Sequence, residues 1–368
     1  MSLKEKVLVA MSGGIDSSVT ALLLAQKGYQ VIGITMKTWD YASVAAGKKE
    51  TGCCNLDSIH DARSIAVEQG FPHYILDIRS EFNDSVIDNF VGEYMAGRTP
   101  NPCVMCNTHI KWDALLRRAD MLGCKYIATG HYAQLRYENQ RYVLSKGKDA
   151  LKDQSYVLWG LPQSVLERTL FPVGNFTKTE IRNMAAQMGF EELSKKKESY
   201  EICFIPDNDY RSFIKNRLHD AEDKLSGGLF VDKEGNVLGS HDGYPFYTIG
   251  QRKGLQVAFG KPKYVTAIHP TKNHVVLGDI DDLDQAEMFV KDINFIKYKQ
   301  LDSTMDAITK IRYKDKGAWS TLEPNGDLLK VTFHADVKGI APGQSAVFYD
   351  GDDVLGGGFI ARNDDIKN

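Results

Sequence analysis

The run Ser12-Gly13-Gly14-Ile15-Asp16-Ser17-Ser18, directly after the apolar Val7-Leu8-Val9-Ala10-Met11, constrains this chain more than any other feature. The apolar run reads as a buried parallel strand. From Ile15 to Lys27 the apolar residues Ile15, Val19, Leu22, Leu23 and Ala25 recur at helical spacing, and Gly28 ends the pattern. Two glycines and three serines therefore fall at a strand-to-helix turn. Gly13 and Gly14 let the backbone bend and approach a ligand, since neither carries a Cβ. Exposed N–H groups, the helix N-terminus and serine hydroxyls together make an anion site suited to polyphosphate. A helix cap alone would need one such residue, not the whole run.

No lysine follows these glycines as it would in a G-x-x-x-x-G-K-[ST] loop, and the spacing is not G-x-G-x-x-G, so neither a Walker loop nor a dinucleotide site is indicated. The run resembles the S-G-G-x-D-S signature of the PP-loop ATP pyrophosphatases. That resemblance implies cleavage of ATP to AMP and pyrophosphate, with an oxygen activated as its adenylate.

With 368 residues, two or three domains are expected. An apolar share of 43% and a charged share of 25% fit a soluble globular protein. No apolar run is long enough to cross a bilayer and the N-terminus lacks a cleavable signal pattern, so a cytoplasmic protein without membrane partners is expected. The six cysteines then point to catalysis, metal binding or burial rather than structural disulfides. A net charge of −3 gives no global nucleic-acid signal, so RNA contact must come from local basic patches.

Strand-like and helix-like segments alternate to about residue 190, the pattern of a parallel sheet covered on both faces. Strands are expected at Val31–Met36, His73–Leu76 and Tyr126–Thr129. Helices are expected at Leu56–Gln69, Glu81–Tyr94, Ile110–Leu122 and Lys178–Met188. Met36, Gly130 and His131 then follow strands and face the same crevice as the Ser12 loop, with Thr38–Asn55 a flap beside it. Phe213–Leu225 reads as one more helix, followed by short β segments between glycine-rich turns. Met288–Ile360 reads as all-β, with a hairpin turn at Pro324-Asn325-Gly326, and a barrel removes its exposed edges. The expected fold is α/β: a Rossmann-like parallel-sheet PP-loop domain (1–206), a small central α+β adaptor domain (207–284) and a C-terminal β-barrel (285–368).

Cys103 and Cys106 form a C-x-x-C after a two-proline loop that leads into the helix at Ile110. A cysteine at a helix N-terminus has its thiolate favoured by the dipole, and Cys106 fits that description best. Cys203 follows the basic run Lys195-Lys196-Lys197, which also favours a thiolate. Structural zinc on the single C-x-x-C, an iron–sulfur cluster on Cys103, Cys106 and Cys203, and inert burial are alternatives. Cys124 reads as core, and the Cys53-Cys54 pair lies in the flap.

Several motifs converge. Arg98-Thr99-Pro100-Asn101-Pro102, Cys106-Asn107, Ala128-Thr129-Gly130-His131-Tyr132, Lys152-Asp153-Gln154-Ser155-Tyr156, Ile202-Cys203-Phe204-Ile205 and Tyr247-Thr248-Ile249-Gly250-Gln251-Arg252-Lys253-Gly254-Leu255 join the Ala10–Ser18 loop. Together they resemble the bacterial tRNA-specific 2-thiouridylases over the whole chain. The resemblance implies replacement of the 2-oxo group of the wobble uridine in tRNAs for Lys, Glu and Gln by sulfur. ATP adenylates the uridine oxygen, and a cysteine desulfurase or sulfur carrier supplies a persulfide. By the same resemblance Cys203 bears the persulfide and Cys106 is the nucleophile, the two closing a disulfide on delivery. ATP contacts carry over to Ala10, Met11, Ser12, Gly13, Gly14, Ile15, Asp16, Ser17, Met36 and Gly130. Asn101, Pro102 and Cys103 fall where the loop meets the target base; His131, Lys152, Asp153, Gln154, Arg312, Tyr313 and Gln344 fall at tRNA-contacting positions. Mg²⁺ would bridge the phosphates with Asp16 as partner. The chain departs at Cys103, where the family pattern often carries Asp, so this cysteine does not inherit an acid/base role.

Overall fold

The computed structural model describes residues 4–39, 56–196, 202–205, 209–218, 225–255 and 260–362. The expected flap, with Cys53 and Cys54, lies outside the described residues from position 40 onward. Contacts divide the chain into two units: one of Met1–Val86, Cys103–Asn208 and Asp352–Val354, the other of Ile87–Pro102, Asp209–Gly351 and Leu355–Asn368.

In the first unit, strand β1 (Lys6–Ala10), helix α1 (Ile15–Gln26), β2 (Gln30–Lys37), α2 (Leu56–Glu68) and β3 (His73–Asp77) alternate as the apolar periodicity predicts. Then come α3 (Trp112–Met121), β4 (Tyr126–Ala128), a hairpin of β5 (Ala133–Glu138) and β6 (Arg141–Lys146), β7 (Thr169–Leu170) and α4 (Lys178–Gln187). The sheet has the order β3-β2-β1-β4-β7 and every neighbour pair is parallel. Val7, Leu8 and Val9 are 0% exposed, as a strand covered on both faces requires. Strand order reverses between β1 and β4, so the carboxyl ends of these two strands flank the crevice where such sheets bind ligands.

Local features depart from expectation: the helix expected at Glu81–Tyr94 runs as α-helical Arg79–Phe82, π-helical Asn83–Ile87 and α-helical Asp88–Met95. The helix placed at Ile110 begins at Pro102: α-helical Pro102–Met105 runs into a π-helical Cys106–Lys111 and then α3. Proline is at home in a first helical turn because its missing N–H has no partner there. The hairpin turn of β5–β6 escaped the sequence reading, since Asn139 and Gln140 take φ of 49° and 61° without a glycine between Glu138 and Arg141.

In the second unit, β8 (Gly228–Val231), β9 (Val237–His241), β10 (Tyr264–His269) and β11 (His274–Gly278) form a sheet of order β10-β11-β8-β9. Of the helix expected at Phe213–Leu225, the part up to Arg217 belongs to a helix Tyr210–Arg217, its start set by the Asp209 side chain accepting from Ser212 N, and residues 219–224 lie outside the described residues. Strands β12 (Asp284–Phe295), β13 (Met305–Lys310), β14 (Ala318–Asn325), β15 (Leu328–Lys338), β16 (Ser345–Asp350) and β17 (Asp353–Ile360) follow. They run in the order β12-β15-β14-β13-β16-β17 and close through β12–β17, giving the expected barrel around Val290, Leu322, Val331 and Phe348. The β14–β15 turn falls at Gly326-Asp327, with Asn325 opposite Leu328. Among the described residues no helix is long and apolar enough to cross a membrane.

Candidate active site

At the end of β1 the chain stays in the sheet for one more residue, Met11 N donating to Ile34 O at 2.8 Å. The loop beyond closes on itself. Ser12 N donates to Ser17 Oγ (3.0 Å), Ser17 Oγ to Gly14 O (3.1 Å) and Ser18 Oγ to Gly14 O (3.0 Å). Gly13 has φ +69°, and a Cβ there would lie 2.1 Å from Ser58 O of α2. A Cβ on Gly130, just beyond β4, would lie 2.7 Å from Ser17 N, so this second strand end abuts the first turn of α1. Ala10 to Ser17, Met36 near the end of β2, and Gly130 thus sit at carboxyl ends of neighbouring strands, beside the N-terminus of α1.

Asp16, in the first turn of α1, accepts from Tyr132 Oη (2.6 Å) and takes Lys178 Nζ on both oxygens (2.8 Å each). Lys178 is only 8% exposed. It opens α4, whose Thr177–Glu180 capping box is complete. Sequence reasoning missed both partners. A signal existed, because a lysine in a first helical turn opposes the dipole and calls for a nearby anion. Lys196 donates to Gly13 O (2.9 Å) and pairs with Asp61, while Lys195 pairs with Glu191 and Glu192. These two members of the basic run therefore face the phosphate loop and solvent acids, which corrects the expectation that they serve Cys203. Lys197 lies outside the described residues.

His131 is 8% exposed, its Nδ1 2.8 Å from Thr129 Oγ1 and its ring 5.5 Å from that of Trp112. Burial, reinforced by the Lys111 charge, pushes its pKa well below the usual histidine range, so the ring is neutral near pH 7. Gln154 exchanges hydrogen bonds with the Tyr132 backbone, its Oε1 accepting from Tyr132 N (3.0 Å) and its N donating to Tyr132 O (2.9 Å). Asp153 accepts from Gly147 N and Ser155 N (3.1 Å each) and from Ser155 Oγ (3.0 Å). Gln154 thus holds the Tyr132 backbone, whose hydroxyl reaches Asp16. Lys152 lies half-buried beside them.

Cys103 stands in the first turn of the helix that begins at Pro102, open to solvent but with protein packed closely about it. That surrounding mass pushes its thiol up, opposed by the Lys111 charge. Cys106 is half-buried one turn later, at the start of the π-helical segment, so it is not the terminal residue that the sequence suggested. Asn107 Nδ2 donates to Val157 O (3.0 Å) and fixes that wide turn. Cys203 is half-buried, next to the tight turn in which Ile205 N donates to Ile202 O (3.0 Å). Phe204 and Ile205 anchor the turn in the core, and the Phe204 ring meets Phe82 edge-on at 5.7 Å. The short helix Arg79–Phe82 also packs on Cys106–Lys111, so both thiol-bearing segments rest on one support. Cys124 is buried, as expected. Among the described residues no three His, Cys, Asp or Glu side chains converge as metal ligands, so Cys103, Cys106 and Cys203 present no ready iron–sulfur or zinc site.

In the second unit, Asn101 is half-buried and Pro102 buried. The preceding loop is fastened by Gln344, whose Nε2 donates to Thr99 O and Pro100 O at 3.0 Å each. Arg312 and Tyr313, beyond β13, are exposed.

A self-closed glycine–serine loop at the switch point of a parallel sheet, sharing its unit with two thiol segments, defines a PP-loop α/β protein. Three family models tile the chain: a tRNA methyl transferase HUP domain over residues 5–207, a tRNA methyl transferase PRC-barrel domain over 211–279, and an aminomethyltransferase β-barrel domain over 285–360. The tRNA-specific 2-thiouridylase MnmA of Amoebophilus asiaticus is 63% identical over 97% of this chain and 95% of its own length. The enzymes of the same name from Cytophaga hutchinsonii (60% identical, 98% of each chain) and Salinibacter ruber (56% identical, 98% of this chain and 95% of theirs) are similar throughout. The chain belongs to the tRNA-specific 2-thiouridylase family.

Proposed function

We propose that this chain is an ATP-dependent sulfurtransferase acting on the wobble uridine of tRNAs for Lys, Glu and Gln. The Ser12–Ser17 loop holds the phosphates of ATP, and uridine O2 attacks the α-phosphorus, releasing pyrophosphate. The terminal sulfur of a Cys203 persulfide reaches C2 while Cys106 attacks the remaining Cys203 sulfur. The C2–O bond breaks, AMP leaves, and a Cys106–Cys203 disulfide is left for an external thiol to reduce. A cysteine desulfurase or sulfur-carrier protein reloads Cys203. Mg²⁺ supplies charge neutralisation to the polyphosphate. Asp16 is already engaged by Lys178 and Tyr132, so the ion's ligands would be mainly phosphate oxygens and water.

The observation that carries this reading is the common seat of the Cys106 and Cys203 segments on Arg79–Phe82, in the same unit as the phosphate loop. Two thiols held near one support suit persulfide relay, a use that methyl transfer, named in the family-model descriptions, would not require. A flipped base would enter beside Asn101, Pro102 and Cys103, with His131, Lys152, Asp153, Gln154, Arg312, Tyr313 and Gln344 placing the RNA. The test is pyrophosphate release and sulfur incorporation with ATP, unmodified tRNA and a persulfide donor. Cys203→Ala and Cys106→Ala should each lower thiolation at least about 10³-fold, the scale of losing a nucleophile, with tRNA affinity nearly intact. Thiolation at the parent rate in either variant would refute the assigned role.

A further inference from the structure

Cys103 is the thiol to which the proposed relay gives no task. It stands three residues before Cys106, in Cys103-Val104-Met105-Cys106. The fold turns that spacing into proximity. Pro102–Met105 is α-helical and the helix continues through Cys106, with Met105 at φ −56° and ψ −46°. In such a turn Cα atoms three positions apart lie about 5 Å from each other, inside the roughly 4.4–6.8 Å that a disulfide spans. Cys106 and Cys203 are both half-buried, whereas Cys103 is exposed. A Cys106–Cys203 disulfide would therefore offer an external reductant two shielded sulfurs, with an open thiol in the same helical turn.

We propose that Cys103 is the resolving thiol of the relay, an inference that rests on the persulfide reading and extends it by one step. After sulfur transfer the Cys103 sulfur attacks Cys106 Sγ. The Cys103–Cys106 bond forms, the Cys106–Cys203 bond breaks, and Cys203 leaves as a thiolate that takes up the proton Cys103 gives up. This exchange involves no net oxidation or reduction. A dithiol reductant then attacks the exposed Cys103 sulfur, returns the pair to thiols and is itself oxidised to a disulfide. The gain is one of order, because Cys203 is free for its next persulfide before the reductant arrives. The packing that pushes the Cys103 thiol up, against the Lys111 charge, suits the role. A thiol mostly protonated near pH 7 does not compete with Cys106 during sulfur transfer, and its thiolate, once formed, is the stronger nucleophile.

The test follows disulfides through one turnover of the full chain. Cys203 is loaded with a cysteine desulfurase and cysteine, excess donor is removed, and ATP with unmodified tRNA starts the reaction without reductant. Samples are quenched in acidic N-ethylmaleimide and mapped by mass spectrometry of unreduced peptides. A Cys106–Cys203 bond should appear first and give way to Cys103–Cys106, with Cys203 recovered as an alkylated thiol. In Cys103→Ser the Cys106–Cys203 bond should persist. With donor and a dithiol reductant present, the rate of later turnovers relative to the first should fall about 10-fold or more in that variant, since a bimolecular reduction replaces an intramolecular one. A ratio taken within one variant is insensitive to any effect of the substitution on base binding. Should Cys103→Ser fail to fold, the order of bonds in the parent decides alone. A Cys106–Cys203 bond that persists in the parent, or a Cys103–Cys106 bond that forms as fast without ATP, overturns the inference and leaves the relay standing. Thiolated tRNA with none of the three cysteines in a disulfide, or no thiolation at all, removes the relay itself and this inference with it.

Discussion

Two loops in this molecule lead into helix starts, and they are held in opposite ways. Ser12–Gly14 enters α1 and is closed by its own residues, through Ser17 and Ser18 within five positions of their partners. Arg98–Asn101 enters the helix at Pro102 and is closed by the barrel: Thr99 N donates to Pro342 O at 2.8 Å, and Gln344 reaches Thr99 O and Pro100 O across 245 and 244 positions. The first loop draws its serine bonds from within the motif, with Lys196 reaching Gly13 O from outside, whereas the second is fastened by residues more than 240 positions away. The sharpest way to break the comparison is Gly13→Ala. The added Cβ meets the Ser58 carbonyl at 2.1 Å in a left-handed conformation that alanine resists. We expect a stability loss of roughly 2–4 kcal/mol and pyrophosphate release below about 1% of parent, read by thermal melting and a release assay. Near-normal release would show that the loop tolerates being opened.

The barrel-held loop should fail more gently. Gln344 has two amide hydrogens and spends them on two carbonyl oxygens, so Gln344→Ala removes both bonds without introducing a charge. We expect kcat to fall about 10-fold, the effect of a misplaced approach loop, with tRNA affinity within about threefold of parent. Gln344→Glu should be worse, since a carboxylate would then face two carbonyl oxygens. Loss of tRNA affinity at unchanged kcat would instead mean that Gln344 touches RNA directly, the role implied by family resemblance. Steady-state kinetics beside tRNA binding separates the two.

The same contrast governs what was legible in the sequence. The α/β alternation and the barrel are encoded in short-range periodicity and turn residues, and the structure reproduces both in their expected order. What sequence reasoning misplaced depends on long-range partners. The helix start moved from Ile110 to Pro102 because a π-helical turn, held by the Asn107 bond to Val157, continues the helix through the C-x-x-C. The basic run looked like a thiolate-stabilising patch, yet Lys196 is committed to Gly13 and Asp61, a pairing across 183 and 135 positions. Asp153 and Gln154, with Lys152, have the composition of solvated surface charge, yet in the fold both spend their side chains on neighbours within their own unit, as His131 at its strand end does on Thr129. Only Lys178, anomalous at a helix start, carried a local hint of its partner.

Two buried histidines extend the comparison to pH, with the smallest expected effect. His131, beside the phosphate loop, and His241, in the β8–β9 sheet, both titrate below the usual range because burial disfavours the imidazolium. His241 is lowered to about 4, and its Nδ1 accepts from Gly243 N at 3.0 Å, a bond only the unprotonated nitrogen can receive. For a group neutral when folded and titrating near 6.5 when unfolded, the stabilisation is complete above about pH 6.5. As pH falls the unfolded chain binds a proton that the folded chain refuses, and stability declines until the folded value is reached near 4. Between pH 6.5 and 5 that amounts to about 2 kcal/mol from His241. Asn presents an oxygen where Nδ1 sits, so His241→Asn should retain the Gly243 bond while removing the titration. Its melting temperature should therefore fall less steeply than the parent's over that interval, whatever its absolute value at pH 7. Because the His131 ring is already neutral, the pH dependence of pyrophosphate release between 6 and 8 should keep its shape in His131→Asn. A changed inflection there would mean that the histidine beside the phosphate loop takes up a proton during turnover.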